Sequence, residues 1–364
     1  MTRRMLGASL AAGIGGCANS SVHAAPPFAA APPPSFDPTP YVHQELRPFV
    51  GQMLAIARAP LNAETLEATR RTALTYALPS LQQPLWDARR IPGPDGAPDL
   101  RIFVVNAQES GAGRPAILHL HGGGFVSGSG KTDIRRLQEI ALALNCVIVS
   151  VDYRLAPETP YPGPLEDGYA GLSWLFHHAE ALGADSARLA VMGESAGGGL
   201  AAMLAILARD RREVPLVYQA LSYPMLDDRT GSLKRKPAYQ GALVWTPEKN
   251  AFGWSALLGA SAGRSRASRG AVPARMEILE GLPPTFIGVG SIDLFVDEDI
   301  DYARRLIDAG VPVTLDVVPG AFHGFDGIPG TRVGQRFRTA VVSALEAVFS
   351  PPHEAAPPRP ASLA

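Results

Sequence analysis

Four short stretches of the chain carry residue types and spacings suited to acyl transfer: His121-Gly122-Gly123-Gly124-Phe125, Gly193-Glu194-Ser195-Ala196-Gly197, Asp293 and His323. A serine hydroxyl is a poor nucleophile at neutral pH and attacks only with a base beside it. Ser195 lies after the apolar run Leu189–Met192 and before the helix-forming stretch Ala196–Ala208. That is the setting of a sharp strand-to-helix turn that projects a serine, with Gly193 and Gly197 flanking it because side chains there would clash. Only two histidines lie downstream of Ser195. His353 falls in a proline-rich tail, whereas His323 follows the apolar run Val313–Val318. A loop at the carboxyl end of a parallel strand is where ligand chemistry collects, so His323 is the candidate base.

Asp293, Asp297, Glu298, Asp299 and Asp301 crowd together after the run Thr285–Val289. Asp293 comes first, at the expected strand end, and is the candidate acid that orients His323 and stabilises its charged form. The later acids open a helix, where their charge favours the N-terminal end by about 0.3–1 kcal/mol each. Three consecutive glycines after Ala116–Leu120 leave backbone N–H groups accessible to a substrate oxygen. The N–H groups of Gly123 and Gly124, with that of Ala196, make a three-donor oxyanion hole.

Two look-alikes lie nearby. Gly259-Ala260-Ser261-Ala262-Gly263 repeats the nucleophile pattern, but a helical piece precedes it and a loop follows. The pattern has meaning only between a strand and a helix, which rejects Ser261. Gly128-Ser129-Gly130-Lys131-Thr132 suggests a phosphate-binding loop, yet the position five residues before Gly130 is Phe125 rather than glycine.

The elements that must position these residues follow from hydropathy. Short apolar runs at Arg101–Val105, Ala116–His119, Val147–Val151, Leu189–Met192, Leu216–Leu221, Thr285–Val289 and Val313–Val318 read as strands. Helical patterns cover 133–144, 165–179, 196–209, 298–309 and 332–347. Such alternation predicts an α/β fold with a mostly parallel central sheet and helices on both faces. Residues 224–280 break the rhythm and read as a lid, together with a helical stretch at 41–58.

Of the 364 residues, 46% are apolar and 18% charged, and the net charge is −1 without a basic run. This is the composition of a globular enzyme and argues against nucleic acid as a main partner. Residues 1–24 read as an export leader: Arg3 and Arg4, a weakly apolar stretch, and the cleavage site Val22-His23-Ala24. The arginine pair resembles a twin-arginine signal. Ile14-Gly15-Gly16-Cys17 resembles instead a lipoprotein box, which would place a lipid anchor on Cys17. A disordered intracellular N-terminus, or a start codon assigned too early, is the remaining reading. Residues 25–40 form a Pro/Ala linker and 351–364 a disordered tail, leaving 41–350 as the folded domain. No later apolar run reaches the roughly 18–20 residues of a transmembrane helix. With Cys17 in the leader and Cys146 in a strand, a disulfide scaffold and a cysteine-rich zinc site are both excluded. Oligomeric state leaves no signal in the sequence.

With these residues in hand, the chain from about 95 to 347 resembles the hormone-sensitive-lipase-like branch of the α/β-hydrolases, the bacterial family IV esterases. The carriers are His121–Phe125, Asp152–Glu158, Gly193–Gly198, Ser222–Met225, Asp293–Glu298 and His323–Phe325. Phe125 stands where tryptophan is frequent and Glu194 where aspartate is common, which bears on the acyl pocket and on contacts behind the site. The resemblance implies a helical cap, a small-molecule ester substrate with a short or medium acyl chain, and neither cofactor nor metal. It also implies that His121, with Gly122, supports the oxyanion loop rather than reacting, and that Asp152–Glu158 holds loops near the site. An amidase or deacetylase on the same triad, a non-catalytic ligand-binding relative and a nucleotide-binding enzyme are the competing readings.

Overall fold

The strands read as unbroken apolar runs because both faces of their sheet are covered. The computed structural model describes residues 36–108, 113–233, 236–259, 262–263 and 270–350. The leader with Cys17, most of the linker, the tail and Ser261 lie outside the described residues. In β3 (Arg114–Leu120), β4 (Val147–Asp152) and β5 (Ala184–Glu194), successive side chains enter opposite cores. Leu118, Leu120, Val149, Val151 and Val191 face one. Ile117, Ile148, Ala190 and Met192 face the other. With β1 (Trp86–Ile91), β2 (Leu100–Val105), β6 (Tyr218–Ser222), β7 (Thr285–Gly290) and β8 (Val313–Val318), they form one sheet in the order β1-β2-β4-β3-β5-β6-β7-β8. β2 runs antiparallel to β1 and β4, and the remaining pairings are parallel, as expected of a mostly parallel sheet.

Helices α4 (Gly163–His178), α5 (Ala196–Arg211) and α7 (Val296–Asp308) fill the first core. Helices α1 (Val50–Arg58), α3 (Ile134–Leu144) and α8 (Arg332–Phe349) fill the second. Two elements escaped the hydropathy pattern. β1 is an edge strand with three charged residues and only Ile91 buried. Helix α2 (Leu66–Thr75) buries only Leu66. Among the described residues, 224–280 contains no strand and is built around α6 (Pro247–Leu258) and a short 3₁₀ turn at Pro273–Arg275. The stretch 41–58 begins with 3₁₀ turns around Pro48 before it becomes α1. The two segments meet where the Val244 N–H donates to the Met53 carbonyl at 3.3 Å.

The acids at the start of α7 are not all the exposed helix-end charges expected. Glu298 and Asp299 are buried. Glu298 Oε1 accepts from the N–H groups of Leu226 at 2.7 Å and Asp227 at 3.1 Å, tying α7 to the chain leaving β6. Burial, reinforced by Asp227, pushes the Glu298 carboxyl up to about 8. Burial and the neighbouring Glu298 push Asp299 upward as well. A carboxyl raised on folding contributes stability that is complete below its ordinary range near 4.5 and is lost as pH climbs through about 8. Glu298→Gln keeps an acceptor for both N–H groups without the charge. Melting temperatures recorded from about pH 5 to pH 9 should therefore fall less steeply for Glu298→Gln than for the unmodified chain. Parallel curves would rule out Glu298 as a source of the alkaline loss.

Candidate active site

β5 ends at Glu194 and α5 starts at Ala196, so Ser195 alone makes the turn, at φ 57° and ψ −121°. This conformation is costly for a residue with a Cβ and persists only when its surroundings enforce it. The Ser195 N–H donates to the Ser222 carbonyl at 2.9 Å. Its own carbonyl accepts from the N–H groups of Gly199 at 3.0 Å and Met225 at 2.9 Å. The flanking glycines are obligatory. A Cβ on Gly193 would stand 2.3 Å from the Gly197 oxygen, and one on Gly197 would stand 2.0 Å from the Leu120 oxygen.

Two further strand ends deliver His323 and Asp293. His323 follows β8, and its Nε2 lies 2.9 Å from Ser195 Oγ. Asp293 follows β7, and its Oδ2 lies 2.8 Å from His323 Nδ1. The tautomer with its proton on Nδ1 donates to Asp293 and leaves Nε2 to accept from the serine. Asp293 is itself held by the Phe295 N–H, which donates to Oδ1 at 3.0 Å. Aromatic rings confine the imidazole: Tyr223 at 4.9 Å, Phe295 at 5.1 Å and Trp245 at 6.4 Å between centroids. All three candidates are buried, leaving little water at the histidine.

The glycine loop lies directly against this turn. A Cβ on Gly122 would sit 3.6 Å from that of Ser195. Among the described residues, the N–H groups of Gly123, Gly124 and Ala196 donate to no backbone carbonyl, and Ala196 opens α5. Unspent donors at the N-terminus of a 16-residue helix favour a developing negative charge.

The sequence profile of the alpha/beta hydrolase fold matches residues 117–327, a span that holds every one of these candidates. The chain belongs to the α/β-hydrolase family, in its hormone-sensitive-lipase-like branch. Esterase LipI of Mycobacterium tuberculosis is 36% identical over 242 residues, covering 66% of this chain and 74% of that protein. Carboxylesterase NlhH of the same organism is 33% identical over 257 residues, covering 68% and 77%. Among solved structures, a bacterial heroin esterase superposes with a TM-score of 0.76 at 33% identity, covering 86% of this chain and all of that one (100%). Esterase LipW from Mycobacterium marinum superposes at 0.73 with 32% identity, covering 89% and 99%.

The motif Asp152–Glu158 ties this hydrolase's loops together one residue at a time. Asp152 Oδ1 accepts from the Gly130 N–H at 3.2 Å. The protein's own carboxylate therefore takes the N–H that a bound phosphate would need in the nucleotide reading. The Tyr153 hydroxyl donates to the His121 carbonyl at 2.7 Å, and the two rings stack at 4.1 Å. Arg154 forks onto Asp167 at 2.6 Å, and the Ala156 N–H donates to the Phe125 carbonyl at 3.0 Å. Arg70, from α2, donates to Val126 and Ala156 carbonyls and to both Glu158 oxygens. His121 sits one residue before the glycines, its Nδ1 2.8 Å from the Gly122 carbonyl. Burial pulls it down to about 4, so the ring stays neutral at pH 7.

Sequence reasoning missed a buried polar network behind Ser195. Residues 119, 150 and 194 share the face of the sheet that looks toward α3 and α8, because they continue the alternation of Ile117, Ile148 and Met192. Register places His119 opposite Ser150, with His119 Nδ1 2.8 Å from Ser150 Oγ and Nε2 2.9 Å from Glu194 Oε2. Arg136 of α3 lies 3.3 Å from Glu194 Oε1 and 3.4 Å from Asp326 Oδ2. Asp326 also accepts from the Tyr223 hydroxyl at 2.6 Å. Burial works to raise Glu194, but Arg136 and His119 outweigh it and hold the carboxyl down at about 2. A polar residue at core parity in an apolar strand, as at His119, was the available signal.

Gly197 carries the heaviest local demand, since any side chain there strikes the backbone of the strand that feeds the oxyanion loop. Gly197→Ala should lower the melting temperature and reduce hydrolysis by about 100-fold or more, through displaced Ala196 and Ser195. Wild-type rates in that variant would show that the turn tolerates a Cβ.

Proposed function

We propose that this chain is a serine carboxylic ester hydrolase that works through an acyl-enzyme on Ser195. The observation that carries the reading is the unbroken hydrogen-bonded line Asp293–His323–Ser195, at 2.8 and 2.9 Å, beside the unspent N–H groups of Gly123, Gly124 and Ala196. His323 takes the Ser195 proton as Oγ attacks the ester carbonyl, and the three N–H groups receive the oxyanion. The tetrahedral adduct collapses, the C–O bond to the alcohol breaks, and the proton on His323 passes to the departing alkoxide. Water then gives its proton to His323 and attacks the acyl-enzyme, releasing the carboxylic acid and restoring Ser195. The relatives' names, esterase and carboxylesterase, support ester over amide as the bond cleaved.

Short to medium acyl chains fit the roof of the site. Trp245 arrives from the segment before α6 so closely that a Cβ on Gly124 would stand 2.2 Å from its ring. α6 follows it down, where a Cβ on Gly253 would stand 2.6 Å from the Gly124 oxygen. We read α1 and the segment around α6 as the cap. Its tryptophan closes the space between the oxyanion loop and His323. The N-terminal leader adds export to this proposal as the setting in which the esterase works.

Ser195→Ala should retain the melting temperature and lose p-nitrophenyl ester hydrolysis by about a thousandfold or more. Retained turnover would overturn the assignment. A matched anilide assayed in parallel should turn over far more slowly than the ester, and equal rates would make the chain an amidase. Trp245→Ala should move the optimum of a p-nitrophenyl ester series toward longer acyl chains, raising kcat/KM for the octanoate relative to the acetate by about tenfold. An unchanged series would remove Trp245 from the acyl wall.

A further inference from the structure

Ser195 and His323 are delivered by β5 and β8, with β6 and β7 between them. Three strand spacings amount to about 14 Å. The loops after these strands must therefore lean toward each other, and something must fix how far. On the α3/α8 face one side chain reaches both. Arg136 lies 3.3 Å from Oε1 of Glu194, the residue before the nucleophile, and 3.4 Å from Oδ2 of Asp326, three residues after the base. Both carboxylates are buried, and the guanidinium side chain is 21% exposed. We propose that Arg136 is a positioning residue that couples the nucleophile turn to the histidine loop and so sets the contact between Ser195 and His323. The proposal rests on the acyl-enzyme reading of these two residues.

Each end of the link is anchored by further buried groups. At the nucleophile end, the second Glu194 oxygen is 2.9 Å from His119 Nε2, and the other ring nitrogen is 2.8 Å from the Ser150 hydroxyl. The Glu194 side chain is thus fixed from two directions, and with it the backbone that enters the strained turn. At the base end, Asp326 Oδ1 accepts from the Tyr223 hydroxyl at 2.6 Å, and the Tyr223 ring packs at 68° against the imidazole of His323. The Tyr223 N–H donates to the Gly288 carbonyl, so this ring is also fixed to β7. Asp326 is held further by its carbonyl, which accepts from Arg338 of α8. The guanidinium closes the circuit. Without it, two buried carboxylates face one another across the gap with no cation between them, and the loops separate to reach water or protons. Both contacts come from one guanidinium nitrogen, Nη1, so the link is a single positive charge shared between two carboxylates on different loops.

The test uses the full chain, with active sites counted by a fluorophosphonate and acylation followed in stopped flow with p-nitrophenyl acetate. Arg136→Met replaces the guanidinium by an uncharged side chain. Its acylation rate per titrated site should fall about 10- to 100-fold, with KM changed less than about threefold. Arg136→Lys should recover part of the loss. The decisive arm repeats Arg136→Met in a His323→Ala background, where residual p-nitrophenyl acetate hydrolysis is normalised to folded protein because fluorophosphonate labelling needs the base. If Arg136 acts only by setting the Ser195–His323 contact, it should cost nothing further there. An equal fractional loss in both backgrounds would make its role general structural support and overturn the proposal, as would an unchanged rate in the single variant. If Arg136→Met yields no folded protein, Asp326→Asn cuts the same link while keeping an acceptor for Tyr223. It should slow acylation about 3- to 10-fold, and a wild-type rate would overturn the proposal. Failure of the acyl-enzyme reading itself looks different: the unmodified chain would show no burst and no fluorophosphonate labelling.

Discussion

The strained turn at Ser195 is the constraint on which the rest of the site depends. A side chain held at φ 57° has no reason to stay there unless every neighbour is committed to it. The commitments are visible: β6 takes its N–H, Gly199 and Met225 donate to its carbonyl, and two glycines permit the backbone crossings. The same crossing at Gly197 brings α5 against the end of β3, which places Ala196 beside the oxyanion loop. Ser195 and the N–H groups of Gly123, Gly124 and Ala196 are therefore parts of one packing arrangement rather than two features that happen to be near each other.

A second consequence concerns charge. The face of the sheet toward α3 and α8 carries apolar side chains along most of its area, then polar ones where the strands end. His119, Ser150 and Glu194 occupy positions whose parity points them into that core. Burial of such groups is tolerable only if they are paired, and Arg136 and Asp326 complete the pairing. The region behind Ser195 is thus a buried ionic scaffold, while the region above it is closed by Trp245 and the rings around His323. Ser195 and His323 sit between a polar support and an apolar roof.

How much of this could be read in advance follows from which signals are local. Seven strands and five helices were legible because two-sided burial writes itself as apolar runs and helical periods. β1 was not, since an edge strand with Asp87, Arg89 and Arg90 needs only Ile91 inside. Helix α2 was not, since it is held by Arg70 reaching across to Val126, Ala156 and Glu158 rather than by an apolar face. Within the site, Ser195, Asp293, His323 and the glycine loop each follow a strand, and that local context is legible in the sequence. The structure brings all of them together. The network through His119, Glu194, Arg136, Asp326 and Tyr223 draws on five separate segments, and no spacing rule connects them. The burial of Glu298 was equally hidden, because acids at a helix start ordinarily face water.

The two departures from the family pattern look different once their neighbours are known. Phe125 is fully buried, and the ring of Trp254, from α6, packs on it at 5.1 Å between centroids. The Phe125 ring in the glycine loop packs against a larger one from α6, so the aromatic volume is divided between two elements. Glu194 reaches one methylene further than aspartate, and that reach is taken up by His119 on one oxygen and Arg136 on the other. Restoring the frequent residue at either position alone would overfill the first site or leave the second pair apart. Each departure is therefore closed by contacts within this chain, and a family site is better compared by the contacts it closes than by the letters at single positions.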